Sequence, residues 1–212
     1  MMNFKNRVQA AHLLARSLSQ YIGFNPLVLA IPRGGVPLGR VIADILGGEL
    51  DVLMVRKLGA PMDSELAIGA VTEEGEVFVS SLAEKVGATD EYIESEVCRQ
   101  IYLMHRRRAL YTPVRAPISP RDRIVIVVDD GLATGATMAA GLRELRNQMP
   151  RRLICAVPVA AENSIELVRT YCDEFICLLQ EIRFTGVGAY YEDFSQVEDS
   201  EVIALLAGAQ EI

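Results

Sequence analysis

Residues 124–138 read IVIVVDDGLATGATM, and this stretch decides the fold. Ile124 to Val128 are all β-branched and no polar residue interrupts them. Such a run predicts a strand buried on both faces, as the strands of a parallel sheet are. Asp129 and Asp130 stand where that strand ends, and a helix is predicted over 134–147. Between them lie Gly131, Leu132, Ala133, Thr134, Gly135, Ala136 and Thr137, nearly all small or hydroxylated. Backbone N–H groups of such a loop approach an anion closely, and the helix N-terminus adds unpaired donors and an aligned dipole. The segment therefore reads as a phosphate cradle at the sheet edge where open α/β folds bind ligands. It has neither the lysine of a GxxxxGK[ST] loop nor the spacing of GxGxxG. Two acids beside a cradle would repel a bare phosphate. They suit a sugar phosphate, whose hydroxyls donate to carboxylates while the loop holds the ester.

Outward from this centre the chain alternates strand and helix. Helical spacing of Phe4, Val8, Ala11, Leu14, Leu18 and Ile22 predicts an amphipathic helix over 4–22. A buried strand at 27–31, the tight loop Pro32-Arg33-Gly34-Gly35 and a helix at 36–46 follow, then a strand at 51–55. Residues 67–72 and 76–80 flank Glu73-Glu74-Gly75 as a β-hairpin, and 90–110 read as helix. Beyond a proline-rich loop at 113–120, strand, helix and strand are expected at 153–157, 161–171 and 174–179. The pattern gives an α/β fold with a mostly parallel sheet flanked by helices.

The 212 residues form one predicted domain, 1–212, half of them hydrophobic. No apolar run approaches the ~20 residues of a membrane span. The N-terminus carries charges within its apolar pattern, so neither a secretion signal nor an anchor is expected and the default location is cytoplasmic. A net charge of −7 argues against non-specific nucleic-acid binding. Arginines nevertheless cluster: 99, 106, 107, 108, 115, 121 and 123 stand against the single acid Asp122. The run His105–Arg108 reads either as a solvated helix end or as a field attracting anions. Cys98, Cys155, Cys172 and Cys177 lack metal-ligand spacing and read as reduced, mostly buried thiols.

Residues 125–138 resemble the phosphoribosyl pyrophosphate (PRPP) motif of type I phosphoribosyltransferases, and the resemblance covers most of 27–195. It implies a PRPP-dependent transfer of 5-phosphoribosyl to a nitrogenous base with release of pyrophosphate. It assigns the 5′-phosphate to Gly131–Thr137 and the ribose to Asp129 and Asp130. Arg33, Gly34 and Gly35 would hold pyrophosphate through a loop with a cis bond, expected here before Gly34, and Lys57 would assist as a catalytic cation. Magnesium is expected mainly on PRPP oxygens, with Asp129 the one direct protein contact considered. The hairpin 67–80 resembles the lid that excludes water, and 81–112 is a helical insertion. Residues 181–195 resemble the C-terminal hood over the base. There Phe184 or Tyr191 would stack while Val187 and Asp193 hydrogen-bond, the alternative being a small hydrophobic cluster. The aromatic-to-Val187 spacing is one residue longer than in hypoxanthine enzymes, and Pro158–Ala161 offers no base-reading lysine, so the acceptor stays open. The expected partners are PRPP, a small-molecule base and a second copy of the chain, without membrane or nucleic acid. The rival expectation is a PRPP- or nucleotide-binding regulator without turnover.

Overall fold

The β-branched run forms the middle strand of a five-stranded parallel sheet, in a computed structural model that describes residues 3–64 and 66–208. The strands are β1 (Leu27–Ala30), β2 (Glu49–Val52), β6 (Ile124–Val128), β7 (Arg152–Ala161) and β8 (Glu174–Glu181), in the order β2-β1-β6-β7-β8. Alternate residues of the middle strands enter two cores. Val28, Ala30, Ile126 and Val128 pack with α1 (Arg7–Ser17), α2 (Gly35–Leu46) and α7 (Asp199–Leu206). Leu27, Leu29, Val125 and Val127 pack with α5 (Ala136–Asn147) and α6 (Glu162–Arg169). Covering both faces is what lets these strands be continuously apolar. From β1 the chain crosses outward to β2, while β6 lies on β1's other side. The carboxyl ends of β1 and β6 thus adjoin at a topological switch point, where Ile31 N–H donates to Val128 at 3.0 Å.

A second sheet is antiparallel: β3 (Val55–Gly59), β4 (Ala67–Thr72) and β5 (Val77–Val79). The expected strand at 51–55 is therefore divided. The chain leaves the parallel sheet at Leu53-Met54 and enters the small one at Val55. The hairpin forms as expected, and Ile68, Ala70 and Val71 in its first strand are fully buried. The 81–112 segment holds α3 (Leu82–Lys85) and α4 (Asp90–Tyr111), the latter capped by Thr89 accepting from Tyr92 N–H at 3.2 Å. Among the described residues no helix is long and apolar enough to cross a membrane.

Three expectations are corrected. The first helix starts at Arg7, not Phe4, because Asn6 caps it by accepting from Gln9 N–H at 2.9 Å. Phe4 instead pairs with the 190–192 segment: its N–H donates to Tyr190 at 2.8 Å and its carbonyl accepts from Glu192 at 2.8 Å. The arginine run is a solvated helix end only in part: His105 and Arg106 are exposed, but the rest is paired internally. Arg108 is buried against Asp51 at 2.9 Å, Arg107 pairs with Asp199, and Arg115 and Arg123 both reach Glu49. Residues 199–206, for which the sequence reading gave no element, form α7.

The cysteines are all free thiols, and Cys98 is exposed. Burial pushes Cys172 and Cys177 up to about 11, and raises Cys155 well above the ordinary thiol range. Since the thiolate is the reactive form, brief iodoacetamide treatment of the native protein at pH 8 is expected to label Cys98 alone. Intact mass would show one adduct, and two or more would refute this packing.

Candidate active site

The acids, the phosphate loop and the Arg33 loop meet because β1 and β6 are neighbours. Glycine is what lets them meet so closely. A Cβ on Gly34 would lie 2.0 Å from Asp130 Oδ2, and one on Gly35 would lie 2.8 Å from the Val128 carbonyl. Both positions exclude any side chain without displacement. The loop also carries a cis peptide, between Pro32 and Arg33, one residue before the expected place. Arg33 reaches across to α7, where Nη1 donates to Glu198 at 3.1 Å and lies 3.9 Å from Asp199.

The cradle turns at Gly135, whose φ of +76° is left-handed and whose Cβ would press on Val168 and Ser164. Leu132 anchors the loop to β7: its N–H donates to Val159 and its carbonyl accepts from Ala161, both at 2.9 Å. Thr134 Oγ1 accepts from Ala136 N–H at 3.4 Å. The N–H groups of Ala133, Thr134 and Gly135 donate to no acceptor among the described residues, and the first turn of α5 adds donors with no intrahelical partner. These are the groups an anion would use.

A cleft of about 330 Å³ opens on this loop. It is lined by Lys57, Leu66, Ala67, Asp129, Gly131–Gly135, Thr137, Met138 and Val187. One cavity thus brings together the candidate cation, one acid, the cradle and one hood residue. Ala67 is the one residue of the 67–80 hairpin that lines it.

The acid pair is under strong electrostatic pressure. Burial first, and Asp130's charge second, raise Asp129 well above the ordinary carboxylate range. Burial raises Asp130 too, opposed by Arg7, whose Nε and Nη2 donate to its Oδ2 at 3.1 and 2.8 Å. Arg7 belongs to α1, far from the motif in sequence, and the sequence reading missed it; no local signal marks such a pair.

The hood residues are not gathered at the cleft. Val187 lines it, pressed against Gly131. Phe184 stacks on Tyr190, with ring centroids 5.5 Å apart. Tyr191 is buried between Phe4 and Phe194, and its hydroxyl donates to the Asp130 carbonyl at 2.7 Å. Burial raises that phenol, so it keeps the proton it donates. Asp193 is exposed and accepts from Ser195 N–H at 3.0 Å, beside a separate small cavity that also borders Arg7. Tyr190 and Tyr191 pack in the small hydrophobic cluster weighed as the alternative, with Phe184 half-buried against it.

Comparison with known proteins shows the family. Residues 3–193 match the family model described as the phosphoribosyl transferase domain. Proteins of Mycobacterium tuberculosis strains H37Rv and CDC 1551, whose names assign them only provisionally as phosphoribosyl transferases, are 36% identical over 204 residues. The match takes in 96% of this chain but 46% of theirs, so the chain spans less than half the length of these relatives. The crystal structure of TT1426 from Thermus thermophilus is 42% identical, with a TM-score of 0.81 and coverage of 97% of this chain and 98% of that one. AQ2163 from Aquifex aeolicus shares the fold at 14% identity and a TM-score of 0.53, over 86% and 76% of the two chains. The chain belongs to the phosphoribosyl transferase domain family.

Proposed function

We propose that this cleft binds PRPP and transfers its 5-phosphoribosyl group to a nitrogenous base, releasing pyrophosphate. The observation that carries the reading is the single cavity shared by Lys57, Asp129, the cradle and Val187. In this reading the loop amides and the hydroxyls of Thr134 and Thr137 take the 5′-phosphate. Asp129 and Asp130 accept from the ribose hydroxyls and steady the positive charge that develops at C1′. Lys57, Arg33 and the amide of Gly34 receive the departing pyrophosphate, with Arg33 exchanging its α7 carboxylates for phosphate oxygens, while the Gly35 amide, expected to join them, already donates to the Ile31 carbonyl at 3.0 Å. The base enters beside Val187, where backbone groups of 186–188 are the nearest readers of its edge. The chemistry is mostly positioning and electrostatics.

Magnesium fits the donor set in one manner. Among the described residues no three His, Cys, Asp or Glu side chains cluster as a cation cage. Burial raises both acids, and a cation carried by PRPP oxygens and water beside Asp129 would favour their charged forms. When bound, the ion neutralises charge on the leaving pyrophosphate.

The test is a panel of purine and pyrimidine bases with PRPP and magnesium, following pyrophosphate release. One base is expected to support turnover, and Asp130→Asn is expected to lower it by about a hundredfold. PRPP binding without turnover for any base would favour the regulatory alternative. No PRPP binding at all would end both. Internal pairing of Arg107, Arg108, Arg115 and Arg123 commits part of the arginine cluster within the fold.

A further inference from the structure

Asp130 is fixed at three places. Its side-chain Oδ2 accepts both Arg7 N–H groups, at 3.1 and 2.8 Å. Its carbonyl accepts the Tyr191 hydroxyl at 2.7 Å, and its own N–H donates to Asp129 Oδ1 at 2.8 Å. Oδ1 of Asp130 accepts no hydrogen bond among the described residues. Arg7 is held in turn. Its Nη1 donates to the Ser195 carbonyl at 2.7 Å, and its guanidinium lies 4.0 Å from the centre of the Phe194 ring. It is only 11% exposed.

The form of the pair is informative. An arginine and a carboxylate that serve only as a strut usually form two parallel bonds, one to each oxygen. Here both N–H groups converge on Oδ2. We propose that Arg7 is the positioning residue of the sugar subsite: by occupying Oδ2 of Asp130 it presents Oδ1 alone to a ribose hydroxyl. This rests on the sugar-phosphate reading of the cleft.

Two physical reasons support the assignment. Adjacent carboxylates repel, and without a countercharge Asp130 would turn away from Asp129. A carboxylate also recognises a hydroxyl well only when its rotamer is fixed beforehand, since disorder of the acceptor is lost as affinity. Arg7 supplies the charge and the fixed rotamer together. The contact further ties α1 and the 191–195 segment to the sugar-binding acid.

Calorimetric titration separates this role from a merely structural one. The probes are ribose 5-phosphate and inorganic phosphate, each with magnesium present. Arg7→Ala is expected to weaken ribose 5-phosphate about tenfold, the usual worth of one charge-assisted contact, and to leave inorganic phosphate unchanged. In an Asp130→Asn background the same substitution should add nothing, because the residue acts through that carboxylate. Arg7→Lys should recover part of the loss, and it carries the test if the alanine variant does not fold. Unchanged ribose 5-phosphate affinity, equal losses for both probes, or losses that add with Asp130→Asn would each overturn the assignment. A wild-type protein that binds neither probe overturns the cleft reading and this role with it. Wild-type binding of both, indifferent to Arg7, overturns this role alone.

Discussion

Gly34→Ala is expected to lower PRPP turnover by about a hundredfold or more while the circular dichroism spectrum stays that of the wild type. The added Cβ would sit 2.0 Å from Asp130 Oδ2 and 2.7 Å from its Cγ. Real atoms do not approach so closely, so one side must move. Asp130 has little room to yield, because the same oxygen carries both Arg7 bonds and its carbonyl carries Tyr191. Either the Arg33–Gly35 loop lifts from the sheet edge or the carboxylate breaks from Arg7 and swings away. Each displaces a ligand-facing group by about an ångström, and an error of that size costs on the order of 10²-fold in rate. Because the strain is local and near the surface of the edge, the melting temperature should fall by only a few degrees. Turnover close to wild type in this variant would mean that Gly34 and Asp130 do not share one site.

The second large effect is on stability. Asp51→Ala should destabilise the fold by about 3–5 kcal/mol, the range for removing one partner of a buried ion pair. Asp51 is 1% exposed and accepts four hydrogen bonds. Arg108 donates from Nη1 at 2.9 Å and Nη2 at 3.3 Å, Val52 N–H at 2.7 Å and Ile118 N–H at 2.9 Å. Alanine leaves a buried guanidinium whose Nε already lacks a partner. It also frees two backbone donors, one of them in the loop leading to β6. For a chain of this size the loss corresponds to roughly 10 °C in melting temperature, measurable by thermal unfolding at 222 nm. A shift under two degrees would show that solvent reaches this pair.

What the sequence made legible was whatever carries a local signal. Ile124–Val128 reads as a buried strand and forms one, and the Gly- and Thr-rich loop after the two acids leads, as expected, into a helix at the sheet edge. Glu73-Glu74-Gly75 marked the hairpin for the same local reason. The Arg7–Asp130 pair was silent because its members lie 123 residues apart and neither stands out alone. Arg108 misled because a run of basic residues at a helix end ordinarily faces water. The available clue was its partner: Asp51, an acid in a predicted buried strand, requires a buried cation. The hood aromatics were ambiguous in kind, since a stacking face and a hydrophobic cluster use the same residues. The packing of Phe4 against Tyr191 could not be read from either residue alone. The break of the 51–55 strand was invisible because both sheets want apolar residues there.

Helix α5 joins matters that the chain order keeps apart. Its first turn lines the cleft, and its middle is pressed so closely on Leu53 and Val55 that a Cβ on Gly141 would lie 2.6 Å from Leu53. Arg143 adds a tie to Glu76 in the hairpin at 2.7 Å. The strand that begins at Val55 carries Lys57 to the lining of the same cleft. The first turn of this helix and the strand that bears Lys57 are therefore held to one another through the packed body of α5 rather than through a loop.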